Sequence, residues 1–286
     1  METITDPRAM QAWADRERAA GRRIALVPTM GALHEGHLEL VRVARARAER
    51  VVVSVFVNPL QFNRRDDFEC YPRVLDEDAA ACASAGVDVV YAPPASVMYP
   101  EGYASAVEVA GVSEPLCGRS RPGHFRGVTT VVTKLFHAVR PHAAVFGEKD
   151  WQQLAVVRRM TADLDFGIDI VGVPTVREAD GLALSSRNRL LGTDARAAAR
   201  CVPLALDASA AAVAAGETVA AVVAERATTV IATEPLARLD YAELRDPDTL
   251  AEVDAVTGPT LLAVAVWVGG VRLIDNRMLI PGGTNR

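Results

Sequence analysis

Cysteine is sparse and scattered in this 286-residue chain: Cys70, Cys82, Cys117 and Cys201 include no Cys-x-x-Cys pair. A disulfide framework is therefore not expected, and reduced, mostly buried thiols are. Zinc chemistry lacks its ligands too. His34 and His37 form one His-x-x-His pair, but His124, His137 and His142 supply no companion cluster, so no protein metal ligand is assigned. A basic excess is also missing. With 31 Lys and Arg against 36 Asp and Glu, the formal net charge is −5, which argues against a general nucleic-acid-binding surface. No uninterrupted apolar run approaches the length of a membrane span, and the opening Met1-Glu-Thr-Ile-Thr-Asp-Pro-Arg8 lacks a basic-then-apolar signal pattern. The expectation is a cytoplasmic protein that engages neither nucleic acid nor membrane. What is present is an ordinary globular composition, 50% apolar and 23% charged, long enough for two domains with cores of their own.

From residue 24 to about 175, short β-branched runs alternate with helical stretches, the signature of βαβ units. Predicted strands span 23–28, 51–57, 87–91, 143–146 and 168–173, mostly continuous apolar runs, as strands covered on both faces are. Predicted helices span 38–49, 75–85, 128–139 and 151–164. The fold class read from this order is α/β, a Rossmann-like doubly wound parallel sheet forming an N-terminal domain over 1–175. Beyond it comes an Ala-rich helical stretch at 193–215, a helix near 217–233, and strands at 239–245, 260–268 and 271–274 around the turn signal Gly269-Gly270. These give a smaller α+β C-terminal domain over 176–286.

Ligands of doubly wound sheets lie outside the carboxyl ends of the strands, so the residues after each strand matter most. The first such stretch is Ile24-Ala-Leu-Val-Pro28-Thr29-Met30-Gly31-Ala-Leu-His34-Glu35-Gly36-His37. It joins a strand to a helix that His37 is predicted to open. The unpaired N–H groups and positive dipole end of a helix start favour an anion, and two imidazoles at i and i+3 reach the same phosphates. Gln61, in Asn58-Pro59-Leu60-Gln61, offers an amide donor and acceptor on the loop after the second strand. In Gly147-Glu148-Lys149-Asp150-Trp151-Gln152-Gln153 a lysine stands where a strand gives way to a helix, with Gln153 one turn on. Leu184-Ser185-Ser186-Arg187 combines two hydroxyls and a guanidinium into a second anion clamp at the domain join, placed to close over a bound nucleotide. The Gly- and Arg-rich run from Leu116 to Val128 reads equally as an anion loop, a wall of a substrate pocket or a structural turn.

Taken together, Pro28-Thr-Met-Gly-Ala-Leu-His-Glu-Gly-His37, Phe56-Val-Asn-Pro-Leu-Gln-Phe62, Arg121-Pro-Gly-His-Phe-Arg-Gly-Val128, Phe146-Gly-Glu-Lys-Asp150 and Ser185-Ser-Arg-Asn-Arg189 resemble, in that order, the pantothenate synthetase (pantoate–β-alanine ligase) family. His34 to His37 is similar to the HIGH-type signature of the cytidylyltransferase-like superfamily, and Leu184 to Arg187 to its KMSKS-type counterpart. The resemblance implies that ATP and pantoate give a bound pantoyl adenylate and pyrophosphate, and that β-alanine then releases pantothenate and AMP. It further implies that ATP is held by Met30, Gly31, His34, Gly36, His37, Gly147, Lys149, Asp150, Val176, Leu184, Ser185, Ser186 and Arg187. Pantoate falls to Pro28, Thr29, Gln61 and Gln153, with Gln61 also near β-alanine. His37, His34, Lys149 and Arg187 carry the chemistry, His37 either as general acid or by electrostatic stabilisation of the phosphates. Mg²⁺ and a homodimer complete what the family implies.

Two departures stand out. Cys117 occupies a position where some relatives carry Glu, and Asn63-Arg64-Arg65 replaces a Gly-containing loop. Competing readings are a different small-molecule nucleotidyltransferase of the superfamily and a non-catalytic nucleotide-binding or RNA-associated protein. Gln61, Gln153 and the Arg-Pro-Gly-His-Phe segment favour the ligase over the first. The acidic balance and the three anion clusters speak against the second.

Overall fold

The computed structural model describes residues 1–282; the last four residues of the predicted C-terminal domain lie outside that range. The chain divides into two compact units. Met1–Ser113, Cys117–Glu148 and Val156–Pro174 form the first, and Glu114–Leu116, Lys149–Ala155 and Thr175–Arg286 form the second.

The first unit runs β1 (Glu2–Ile4), α1 (Pro7–Ala19), β2 (Ile24–Thr29), α2 (Glu35–Arg45), β3 (Arg50–Val55), α3 (Arg65–Glu69), α4 (Leu75–Ser84), β4 (Val89–Tyr91), α5 (Ala95–Met98), α6 (Cys117–Ser120), α7 (His124–Val139), β5 (Ala143–Gly147), α8 (Trp151–Asp163, its first turn grouped with the second unit) and β6 (Asp169–Val173). Its six strands are all parallel, in the order β1-β4-β3-β2-β5-β6. From β2 the chain first builds outward through β3 and β4, then crosses to add β5 and β6 on β2's other side. The switch point is therefore between β2 and β5, whose carboxyl ends lead into the histidine motif and into Gly147. Alternate residues go to opposite faces: Ala25, Val27, Val51, Val53, Val145, Val171 and Val173 join a core cluster with Leu40, Val41 and Ala44 of α2 and Cys82 of α4. α1 and α7 pack on each other and on β2. The predicted α/β class and doubly wound parallel sheet are what the structure shows.

Boundaries moved for identifiable reasons. α2 begins at Glu35 and ends at Arg45, where apolar periodicity suggested 38–49; the first turn carries no apolar repeat and is made by a histidine cap. The sequence reading passed over β1 and α1. β1 has three residues, one of them buried, and α1 buries only Met10, Trp13 and Ala14 among many charges. What makes α1 a helix is Asp6, whose carboxylate accepts the Ala9 N–H at 2.8 Å, with Pro7 in the first turn.

The second unit contains α9 (Thr193–Ala198), α10 (Cys201–Ala214), α11 (Ala220–Ala232), β7 (Ala237–Arg245), β8 (Thr260–Val268) and β9 (Val271–Leu279). The three strands form an antiparallel sheet in sequence order. Val268 pairs with Val271 across Gly269-Gly270, both at positive φ (54° and 84°), the two-residue hairpin that only glycine adopts without strain. β9 runs five residues beyond the predicted 271–274, because its charged residues are paired: Asp275 with Arg177 and Arg277 with Asp207. The Ala-rich stretch is two helices rather than one. Among the described residues, Thr193–Ala214 is the one stretch long and apolar enough to cross a membrane, yet 56% of that window is buried. Ala195, Ala198, Val202, Leu206 and Val213 from it line the unit's own core with Val264 and Val266 of β8.

Candidate active site

In the first unit the chain leaves β2 through a turn held from three directions. Thr29 Oγ1 donates to the Ser54 carbonyl at 2.7 Å and accepts the Gly31 N–H at 3.1 Å, so its one proton is committed within the fold. Gly31 has φ +84°, and a Cβ there would stand 2.7 Å from Asp78 Oδ2 and 3.0 Å from Val55 Cγ1. Asp78, 2% exposed in the first turns of α4, accepts the N–H groups of Ala32 (2.9 Å) and Leu33 (2.7 Å). This buried carboxylate thus satisfies two donors that no strand or helix pairs. No local signal marks Asp78, which lies among three acids at the start of α4.

The turn delivers the histidines. His34 is the N-cap of α2, its Nδ1 accepting the Gly36 N–H at 3.1 Å, while His37 Nδ1 accepts the His34 N–H at 3.3 Å. The rings lie 4.1 Å apart, tilted by 33°. Because both Nδ1 atoms accept, each neutral ring carries its proton on Nε2, and both present an N–H donor on that side. The two predicted anion-binding histidines therefore come together at a helix start, each with its Nδ1 bonded to a backbone N–H.

Gln61, 9% exposed, ends the 3-10 turn Pro59–Gln61. Asn58 donates from Nδ2 to Gln61 Oε1 at 3.0 Å and to the Gly127 carbonyl at 3.0 Å, and Tyr99 donates its hydroxyl to Asn58 Oδ1 at 2.8 Å. With Oε1 taken, Gln61 turns its Nε2 toward Met30 Sδ, 3.1 Å away. Two motifs thirty-one residues apart thereby meet side chain to side chain. Asn58 and Tyr99 were not among the predicted site residues. At the end of β5, Gly147 has open space around a would-be Cβ, and burial pushes the Glu148 carboxyl above the ordinary carboxylate range.

In the second unit, Lys149 is largely buried, 19% exposed, with Nζ 3.7 Å from the neighbouring Asp150 carboxylate. Its carbonyl accepts from Asn276 Nδ2 at 3.0 Å. Gln152 donates to the Pro115 carbonyl at 2.7 Å and Trp151 Nε1 to the Pro247 carbonyl at 2.8 Å, while Gln153 is half-buried on the same helix. Val176 and Leu184 are joined by the Leu184 N–H to Val176 carbonyl bond (3.0 Å), with Arg177 and Ala183 bridged between them. Arg177 makes a bidentate pair with Asp275, at 2.6 and 3.0 Å, whose side chain is 1% exposed. Burial works against the Arg177 charge, and the Asp275 carboxylate outweighs it and holds the guanidinium above its ordinary range. Ser185 caps the 3-10 turn Ser186–Leu190 by accepting the Arg187 N–H at 3.3 Å, and Asn188 Nδ2 donates to Glu178 at 3.0 Å. Asp275 and Asn276 thus anchor, from adjacent positions on β9, both the Arg177 hairpin and the Lys149 main chain. Neither was predicted.

The Leu116–Val128 run, left open between anion loop, pocket wall and structural turn, includes residues that back the Gln61 turn: His124 Nδ1 lies 2.8 Å from the Gln61 carbonyl.

A doubly wound sheet whose switch-point loop ends in a tautomer-fixed histidine pair defines a nucleotide-handling α/β enzyme. The family model for pantoate-beta-alanine ligase matches residues 2–278, and the chain belongs to that family. It is 52% identical to the pantothenate synthetase of Syntrophobacter fumaroxidans over 281 residues, 98% of each chain, and 51% identical to that of Moorella thermoacetica, covering 98% of this chain and 99% of the relative. Among solved structures, pantothenate synthetase from Thermus thermophilus superposes with a TM-score of 0.92 at 45% identity, covering 96% of this chain and 98% of that one. Pantoate-beta-alanine ligase from Francisella tularensis, complexed with Beta-gamma ATP and β-alanine, gives a TM-score of 0.81 at 31% identity over 97% of each chain. The chain is accordingly an acid–amine ligase that joins pantoate to β-alanine and forms pantothenate. The nucleotidyltransferase and non-catalytic alternatives are set aside.

Proposed function

We propose that ligation proceeds through a pantoyl adenylate, with ATP entering as its Mg²⁺ complex. A pantoate carboxylate oxygen attacks the α-phosphorus and pyrophosphate leaves; the free amine of β-alanine then attacks the acyl carbon, AMP leaves with the bonding pair and the nitrogen gives up one proton to solvent. The first step drives two anions together, and the residues described above answer that repulsion. His34 and His37 donate from Nε2 to phosphate oxygens, and Met30, Gly31, Gly36 and Gly147 also bind the nucleotide. Lys149 and Arg187 supply fixed positive charge, and Ser185, Ser186, Asp150, Val176 and Leu184 bind the rest of the nucleotide. Pro28, Thr29, Gln61 and Gln153 hold pantoate. No group of three or more His, Cys, Asp or Glu side chains is gathered for a metal among the described residues; an ion that arrives on phosphate oxygens needs no such cage. The protein acts in the cytoplasm as a homodimer.

The observation that carries this reading is the meeting of Gln61 with Met30 on the loop that ends in the two Nδ1-bonded histidines. The test is release of pyrophosphate and AMP with ATP and Mg²⁺, adding pantoate alone and then pantoate with β-alanine. Sustained AMP formation only with both, alongside pantothenate by mass, supports it. Pyrophosphate release with neither acid, or none under any condition, counts against it.

A further inference from the structure

His124 is a buried histidine, 8% exposed, that the reaction as described does not use. Its Nδ1 stands 2.8 Å from the main-chain carbonyl of Gln61. A carbonyl oxygen only accepts, so Nδ1 carries the proton. The lone pair of a neutral ring then lies on Nε2, 3.3 Å from Arg121 Nη1, a group that only donates. Arg121 Nη2 adds a second bond to the same Gln61 carbonyl at 3.0 Å. Partners on both nitrogens therefore select a single tautomer, and the Phe125 ring, 4.8 Å away centroid to centroid, flanks the imidazole.

Gly127, one turn into α7, shows how closely this helix abuts the turn. A Cβ there would stand 2.3 Å from the Leu60 carbonyl oxygen and 2.7 Å from the Gln61 nitrogen. The Gly127 carbonyl in turn accepts from Asn58, which holds the Gln61 side-chain amide. The start of α7 thus grips the main chain of Gln61, while Asn58 sets its amide.

We propose that His124 is a positioning residue for pantoate binding: through the Gln61 carbonyl it fixes the direction in which the Gln61 side chain leaves the turn. The inference rests on the reading of Gln61 as a pantoate ligand. A hydrogen-bonding group displaced by a fraction of an ångström loses alignment with a small substrate, while ATP contacts elsewhere on the chain are untouched.

The experiment is steady-state kinetics of His124→Ala, His124→Asn, His124→Gln, Gln61→Ala and the His124→Ala/Gln61→Ala double variant, with thermal unfolding of each. The Asn amide places an N–H near the position of Nδ1; the Gln amide places one nearer Nε2. His124→Ala is expected to raise the pantoate KM about tenfold with the ATP KM within about twofold. His124→Asn recovers most of that loss and His124→Gln does not. The double variant is no worse than Gln61→Ala alone. An unchanged pantoate KM in His124→Ala beside a raised one in Gln61→Ala overturns the positioning role. Equal rises in pantoate and ATP KM do the same. Should His124→Ala not fold, the Asn and Gln variants decide, and equal pantoate KM values for those two refute the assignment. An unchanged pantoate KM in Gln61→Ala instead overturns the reading of Gln61, and this inference with it.

Discussion

The histidine loop of the first unit and the serine–arginine hairpin of the second both offer donors for anions, yet they are held in different ways. The loop after β2 is set by steric crowding at Gly31 and by main-chain N–H groups given to Asp78, His34 and His37. The hairpin around Gly181 is set by ion pairs: Arg177 with Asp275, and Arg196 with Glu178 and Asp180. The difference follows from what each displays. A loop that presents neutral imidazoles needs their tautomers and ring planes fixed, which short backbone contacts do. In the segment that presents the Arg187 guanidinium, Arg177 and Arg196 are paired with carboxylates, so those two charges are compensated.

Removing the displayed group should give the largest effect. His37→Ala is expected to lower pantoate-dependent ATP–pyrophosphate exchange by about a thousandfold, the scale of a lost donor to developing charge, in a protein that still folds despite losing the bond to the His34 N–H. Wild-type exchange rates in a folded His37→Ala protein would sink the role given to it.

Next comes the support of the first loop. Asp78→Ala removes the buried carboxylate that accepts the Ala32 and Leu33 N–H groups and should cost about 3 kcal/mol in chemical denaturation, with Asp78→Asn intermediate. Its ATP KM should rise as well. A neutral outcome would mean that glycine crowding alone holds the turn.

On the other side of the comparison, Asp275→Ala strands the Arg177 charge and should cost about 2 kcal/mol, less than for a fully buried pair because Arg177 is 27% exposed. If charge pairing holds the hairpin, limited proteolysis near 185–187 should speed up in this variant and slow down in the wild type on adding ATP and Mg²⁺. Cleavage insensitive to both would erase the distinction between the two segments.

The smallest effect belongs to neither segment. At Glu17 the Arg22 hydrogen bond lowers the carboxyl most, burial opposes it, Arg50 adds to the lowering, and the pKa falls to about 2 from 4.5. The folded value is the depressed one. Its contribution is therefore complete above pH 4.5 and is lost as pH falls toward 2. Glu17→Gln should remove about 1 kcal/mol at neutral pH, reduced by solvent screening of the half-exposed arginines, and should flatten acid unfolding over that window without changing turnover. A variant with an acid limb as steep as wild type would assign that limb to other carboxylates.

Much of the scaffold was legible because its signals are local. β2, β3, β5 and β6 are continuous apolar runs, and Gly269-Gly270 announces its own hairpin. α1 was not, since its buried residues, though at the helical spacing 10, 13 and 14, are only three among many charges. The first turn of α2 was not either, because a histidine N-cap falls outside the usual Ser, Thr, Asp and Asn signal.

The amino-acid sequence by itself determined the alternation of strands and helices, the glycine-flanked histidine pair at a helix start, and the serine–arginine segment. Each of these depends on neighbours within a few residues. Tertiary structure alone decided that Gln61 meets Met30, that Asp78 holds the loop at 32–33, that His124 grips the Gln61 carbonyl and that Asp275 pairs with Arg177. Those partners lie between 31 and 98 residues apart. A carboxylate, an imidazole or an amide has many chemically equivalent candidates at such separations, and only packing of the sheets and helices brings one of them within hydrogen-bonding reach.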